Sequence, residues 1–180
     1  MPGSHKGNTF FIGDFDDELE ASIVVPFTRE INKQAEHAEG YIDLWINSMG
    51  GYAHLVGHLV ELVELAKANG VIVRTIVPNM AFSAGSILAI TGSPGERYIG
   101  RNAEHLIHYG QIASFESTPQ QVERYRKWKD RYFKSTVAHY KKYANIPNID
   151  QEILDDGWFV PAKDCLKYSL ADKFTDKFVL

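Results

Sequence analysis

At 180 residues with a formal net charge of −4, the chain has the length of one domain, enough to bury roughly 70% of the surface its unfolded form exposes. The acidic balance argues against a nucleic-acid binder, since the one basic cluster, Arg124 to Lys134, is diluted by Glu123 and Asp130 and interleaved with Tyr125, Trp128, Tyr132 and Phe133, as in an amphipathic helix. The single cysteine, Cys165, excludes an internal disulfide and suits a reducing, cytoplasmic setting, and no N-terminal apolar stretch approaches a signal peptide or a membrane span of about 20 residues.

Residues 1–8 are polar and Gly-rich and read as a mobile terminus. Thr9–Ile12 is a short apolar strand, and Asp16 opens a helix whose Leu19, Ile23, Phe27 and Ile31 recur on one face. Tyr41–Ile46 reads as a strand, Val56–Ala68 as a helix with Leu59, Val63 and Ala66 inward, and Val71–Val77 as a β-branched strand. An apolar helix follows over Ala84–Thr91, then a turn-rich link from Gly92 to Arg101 and a strand near Leu106 and Ile107. Thr118 to about Tyr143 is a long, mostly charged helix, with Pro119 in its first turn after Ser117 or Thr118 as cap, and Cys165 lies in a further helix. Strands alternating with helices predict an α/β fold of repeated βαβ units, a largely parallel sheet, and function at the carboxyl ends of its strands.

Three of those strand ends carry chemistry. INSMGG (Ile46–Gly51) supplies paired glycines, NMAFSAGS (Asn79–Ser86) a serine at a strand-to-helix turn, and AEHLIHY (Ala103–Tyr109) a histidine. Backbone donors, a nucleophile and a general base are what a serine hydrolase needs, and Ser83 with His108 is the pairing best placed to provide the last two. Strand alternation puts His105 on the opposite face from His108, which makes it a surface or packing residue. His5, His37, His54, His58 and His139 lie in the tail or on helices, where solvation is the default. There is no metal-ligand spacing and no phosphate-cradling GxxxxGK[ST], so neither a cofactor nor intrinsic ATP hydrolysis is expected.

The combination resembles the proteolytic subunit of the Clp protease, the ClpP family, over nearly the whole chain. INSMGG is similar to the family's INSPGG, with Met49 for proline. MAFSAG (Met80–Gly85) resembles MAASMG, RNAEHLIHYG (Arg101–Gly110) resembles PNAxxMIHQP, and KDCLKYSLAD (Lys163–Asp172) resembles EAxEYGLxD. FFIGDFDDELEASIV (Phe10–Val24) is similar to IxLxGxIxDxxAxxIV. The resemblance implies a ClpP/crotonase-like head over residues 9–180 with a projecting handle helix at about 111–145, and stacked rings, heptamers being one option, that enclose the sites. It supplies an interface role for the stripe of Tyr125, Trp128, Tyr132 and Val137; a surface helix docked on its own head is the alternative.

The same resemblance implies a serine endopeptidase in which Ser83 attacks, His108 shuttles the proton, and the N–H groups of Gly51 and Ala84 hold the oxyanion. A third residue is expected in ILDDGWFVPA. Gap-free matching brings Gly157 onto the family's aspartate position, and a one-residue adjustment brings Asp156, which is favoured over Asp155; failing both, a dyad remains. Substrates would be peptides or unfolded proteins, delivered by a separate AAA+ unfoldase, with no nucleic-acid or membrane partner. Rival readings are a virus-encoded capsid-maturation protease of the same fold, a non-catalytic ring subunit, for which Met49, Asn79 and Gly157 are the departures, and acyl-CoA chemistry on the crotonase fold.

Overall fold

The computed structural model describes residues 3–108, 118–150 and 157–175. In chain order these form β1 (Ser4–Lys6), β2 (Thr9–Ile12), α1 (Asp17–Gln34), β3 (Tyr41–Ile46), α2 (Ala53–Ala68), β4 (Ile72–Val77) and β5 (Met80–Phe82). There follow α3 (Ala84–Ala89), β6 (Arg97–Ile99), β7 (Glu104–Ile107), α4 (Pro119–Tyr143), β8 (Trp158–Pro161), α5 (Ala162–Lys167) and β9 (Lys173–Phe174).

Apolar spacing explains the helices that cover the larger sheet. Asp16 caps α1 by accepting from Leu19 N–H at 2.9 Å, and Asp17, Glu18 and Glu20 set negative charge at the end of the helix where N–H groups are exposed. The predicted stripe of Leu19, Ile23, Phe27 and Ile31 is buried. In α2, Leu59, Val63 and Ala66 face inward together with Leu55 and Val56, and the helix begins at Ala53, one turn ahead of the predicted start.

The larger sheet runs β1-β2-β3-β4-β6-β9, parallel from β2 onward, with Phe10 beside Leu44 and Leu44 beside Thr75. In this sheet two strands stand where the sequence reading placed a tail and a turn-rich link. Ser4–Lys6, within the segment read as a tail, pairs antiparallel with β2. The link read as turns from Gly92 to Arg101 contains β6, whose three residues pair with β4 and β9. So short a strand has no periodicity of its own to read; Arg97 anchors it by donating from Nε to Asp172 at 2.9 Å and from Nη1 to the carbonyls of Tyr143 and Ser169 at 2.8 Å. Burial raises the Asp172 pKa, but the Arg97 bonds outweigh it and leave the carboxyl below its ordinary value.

A smaller sheet, β5-β7-β8, stands apart, with β5 parallel and β8 antiparallel to β7. Across its middle Phe82, Leu106 and Phe159 lie side by side.

Thr118 caps α4 in a capping box with Gln121, and Pro119 occupies the first turn. The aromatic stripe divides. Thr136, Val137 and Tyr140 are buried against the head, whereas Tyr125, Trp128 and Tyr132 stack in succession with centroids 5.8 and 5.5 Å apart and leave Trp128 41% exposed. Near the other end of α4, Glu64 of α2 is held by Lys67, Lys142 and the Tyr143 hydroxyl. Burial opposes ionisation of Glu64, and these hydrogen bonds overcome it, bringing the carboxyl down to about 2.

Candidate active site

Ser83 sits between β5 and α3 with φ 53° and ψ −116°, a left-handed conformation that costs a residue with a side chain about 1–3 kcal/mol. Its neighbours hold it there. Ser83 N–H donates to Leu106 O at 2.8 Å, and its carbonyl accepts from Ser86 N–H at 3.0 Å and Ile87 N–H at 3.2 Å. Although it occupies the N-cap position, its side chain makes no capping hydrogen bond, so the hydroxyl is not spent on the helix.

Small residues make the approach possible. A Cβ added at Gly50, where φ is +106°, would stand 2.7 Å from Ser83 Cβ and 3.3 Å from Ser83 Oγ. At Gly51, where φ is +137°, it would strike Phe15 O at 2.3 Å. Gly51 N–H donates to no backbone carbonyl in the turns and loops among the described residues, and Ala84 N–H opens α3, where first-turn amides have no acceptor within the helix.

Sequence reasoning missed the residue that fixes the glycine turn. Asp14 Oδ1 accepts from Met49 N–H at 2.6 Å and from the Ser48 hydroxyl at 3.4 Å, while Ser48 Oγ accepts from Gly50 N–H at 3.0 Å. Met49 stands where the resemblance places proline, and proline has no N–H to give. The side chain of Met49 remains 62% exposed, so its backbone is what the turn uses. Nothing in GDFDD marked Asp14 for this task, because a carboxylate ahead of a helix reads as a cap, and Asp16 fills that position.

His108 follows β7, two residues beyond Leu106, which accepts from Ser83 N–H. The pairing of β5 with β7 therefore brings Ser83 and His108 to adjacent strand ends. Burial lowers the His108 pKa from its ordinary 6.5, so the ring is neutral and able to accept a proton at neutral pH. Gly157 packs on the same side: a Cβ there would lie 3.3 Å from His108 Cβ and 3.1 Å from Leu106 Cδ1. Asp155 and Asp156 lie outside the described residues. Beside the site, Phe82 meets Phe159 edge-on at 5.6 Å, and Phe159 is 54% exposed.

The other histidines sort by burial. His105 faces the core as strand alternation requires, and it is wholly buried. His139, expected in solvent, is instead half-buried: its Nε2 lies 3.0 Å from Ile87 O and 3.1 Å from Thr91 Oγ1, because the last turns of α4 dock on α3. Burial lowers its pKa. His5, His37, His54 and His58 are exposed. Among the described residues no cluster of three or more histidine, cysteine or carboxylate side chains is placed to hold a metal, and no helix is long and apolar enough to cross a membrane.

Comparison with known proteins places this geometry in a family. The Clp protease family model matches residues 9–177. An ATP-dependent Clp protease proteolytic subunit from Deinococcus radiodurans is 27% identical over 179 residues, covering 96% of this chain and 82% of that protein. ATP-dependent Clp protease proteolytic subunit 2 of Bacillus licheniformis is 27% identical over 93% of this chain and 85% of its own length. The corresponding subunit of Streptococcus mutans is likewise 27% identical, over 91% and 82%. The match spans β2 to β9, with the serine turn and the histidine strand, and the chain belongs to the Clp protease family of endopeptidases.

Proposed function

We propose that this chain hydrolyses peptide bonds by a serine mechanism. Ser83 Oγ attacks the scissile carbonyl carbon as His108 takes its proton. The new oxyanion is held by Gly51 and Ala84 N–H groups, each such donor worth about 2.7–4 kcal/mol in transition-state charge stabilisation. The intermediate collapses, His108 returns the proton to the departing amine, and an acyl-Ser83 ester remains. Water, deprotonated by His108, attacks that ester and releases the second peptide with Ser83 restored.

The observation that carries this reading is Ser83 itself: strained, free of capping duty, backed by Gly50 and bonded through its N–H to the strand that His108 directly follows. Asp156 is proposed to orient His108. It directly precedes, in the sequence, Gly157, which packs against His108. The apolar row of Phe82, Leu106 and Phe159 gives an extended peptide or unfolded segment a surface beside the nucleophile.

Assembly into stacked rings around a chamber is proposed on the stacked ladder of Tyr125, Trp128 and Tyr132, whose central Trp128 is exposed. An AAA+ unfoldase partner follows by analogy with relatives named as ATP-dependent. The deciding experiment is labelling by a fluorophosphonate with peptide mapping. Modification at Ser83, lost in Ser83→Ala together with hydrolysis of a fluorogenic peptide, supports the mechanism. Activity in Ser83→Ala within about tenfold of wild type sinks it.

A further inference from the structure

A second serine and histidine lie behind the site. Ser86 Oγ is 3.0 Å from His105 Nδ1, and Tyr140 Oη donates to Ser86 Oγ at 2.8 Å. Serine, histidine and tyrosine are all buried, at 0%, 0% and 2% exposure, so this pair meets no substrate. With Tyr140 donating to Ser86, the serine hydroxyl has its own proton to give to His105 Nδ1, which makes His105 the neutral Nε2–H tautomer. That Nε2 has no hydrogen-bond partner among the described residues. An apolar trio would fill the same space without leaving a buried donor unpaired, and so fold stability does not account for the trio.

Its attachments do. Ser86 lies in the first turn of α3, where its N–H already holds the Ser83 carbonyl. His105 lies on β7 beside Leu106, the residue that accepts from Ser83 N–H. Two links thus join the serine turn to the histidine strand: one at the Ser83 backbone, the other through the Ser86 and His105 side chains. A single link leaves a hinge; the second fixes rotation of α3 about it. The third member, Tyr140, comes from α4, whose other half carries the stacked aromatic ladder with Trp128 exposed.

We infer that Tyr140, Ser86 and His105 are positioning residues, a buried brace that sets the orientation of Ser83 relative to His108 and ties both to α4. This rests on the serine mechanism above. The brace acts on geometry during the chemical step, so its loss lowers kcat and spares KM.

Tyr140→Phe removes one oxygen and Ser86→Ala one hydroxyl, and the test compares both and their double variant with wild type. Thermal melting and sedimentation identify variants whose fold and particle are intact, and fluorophosphonate labelling of the wild type at Ser83 establishes the underlying mechanism. The expected result is a fall in kcat of about tenfold or more with KM within about twofold. The labelling rate should fall in parallel, and the double variant should be no worse than Ser86→Ala. Should Ser86→Ala fail to fold, Tyr140→Phe, the near-isosteric change, decides alone. Unlabelled wild type overturns the serine mechanism and the brace with it. Labelled wild type with unchanged kcat in Tyr140→Phe overturns the brace alone, as do losses that merely follow melting temperature or strictly additive effects.

Discussion

Gly157 packs against His108: a Cβ on Gly157 would stand 3.3 Å from His108 Cβ, a tight contact, and the backbone there has φ +106°, which side chains rarely adopt. The position that matches the family's aspartate by gap-free counting is therefore strained for any side chain in this backbone, and the proposed mechanism assigns the orienting carboxylate to the preceding position. Asp156→Asn should lower turnover of a small fluorogenic peptide by up to about 10⁴, because asparagine keeps the shape but favours the wrong imidazole tautomer. Asp155→Asn should be mild. Measured on particles confirmed intact, a crippled Asp155→Asn would move the assignment by one residue, and two active variants would leave a dyad.

The Gly50 contact gives a sharper steric test. Gly50→Ala brings a methyl to 2.7 Å from Ser83 Cβ at a backbone angle that alanine avoids, so turnover and labelling of Ser83 should both fall by about 10² or more. Gly57 in α2 is the control, since a Cβ there meets nothing within 4 Å. Gly57→Ala should keep full activity and gain about 0.5–1 kcal/mol in denaturant unfolding.

Acid should weaken the fold through His105. Burial first, with the Arg97 charge second, brings its pKa from 6.5 down to about 3. The native state then holds no proton on His105 until pH nears about 3, whereas the unfolded chain takes one below about 6.5. The unfolded state binds more protons throughout that window, so stability rises with pH and this contribution is lost as pH falls. Between about pH 7 and pH 5 it amounts to about 2 kcal/mol. Urea unfolding of His105→Leu at the two pH values should show a flatter dependence by that amount, while equal slopes would contradict the assignment. His108 and His139 shift the same way in both proteins and cancel in the comparison.

Assembly is tested at Trp128. Charged substitution, Trp128→Glu, interrupts the stacked ladder at its exposed centre and should reduce a multi-ring particle to smaller species in sedimentation velocity, with little change in melting of the head. A wild-type monomer at micromolar concentration that still degrades unfolded protein would contradict the chamber.

What the sequence determined by itself was whatever repeats or recurs locally. Leu19, Ile23, Phe27 and Ile31 announce α1 because a helix buries every fourth residue, and Ser83 and His108 stand out because motif and spacing survive without any knowledge of packing. The register of the small sheet, which sets Phe82 beside Leu106 and Phe159, was decided only by the tertiary structure. So was β6, a three-residue strand that exists because β4 and β9 flank it and Arg97 reaches Asp172. The clamp from Asp14 to Met49 and the brace of Tyr140, Ser86 and His105 join residues distant along the chain through single hydrogen bonds. Such links have no periodicity to betray them: they exist because packing the apolar faces encloses these polar groups, which are costly to bury without hydrogen bonds.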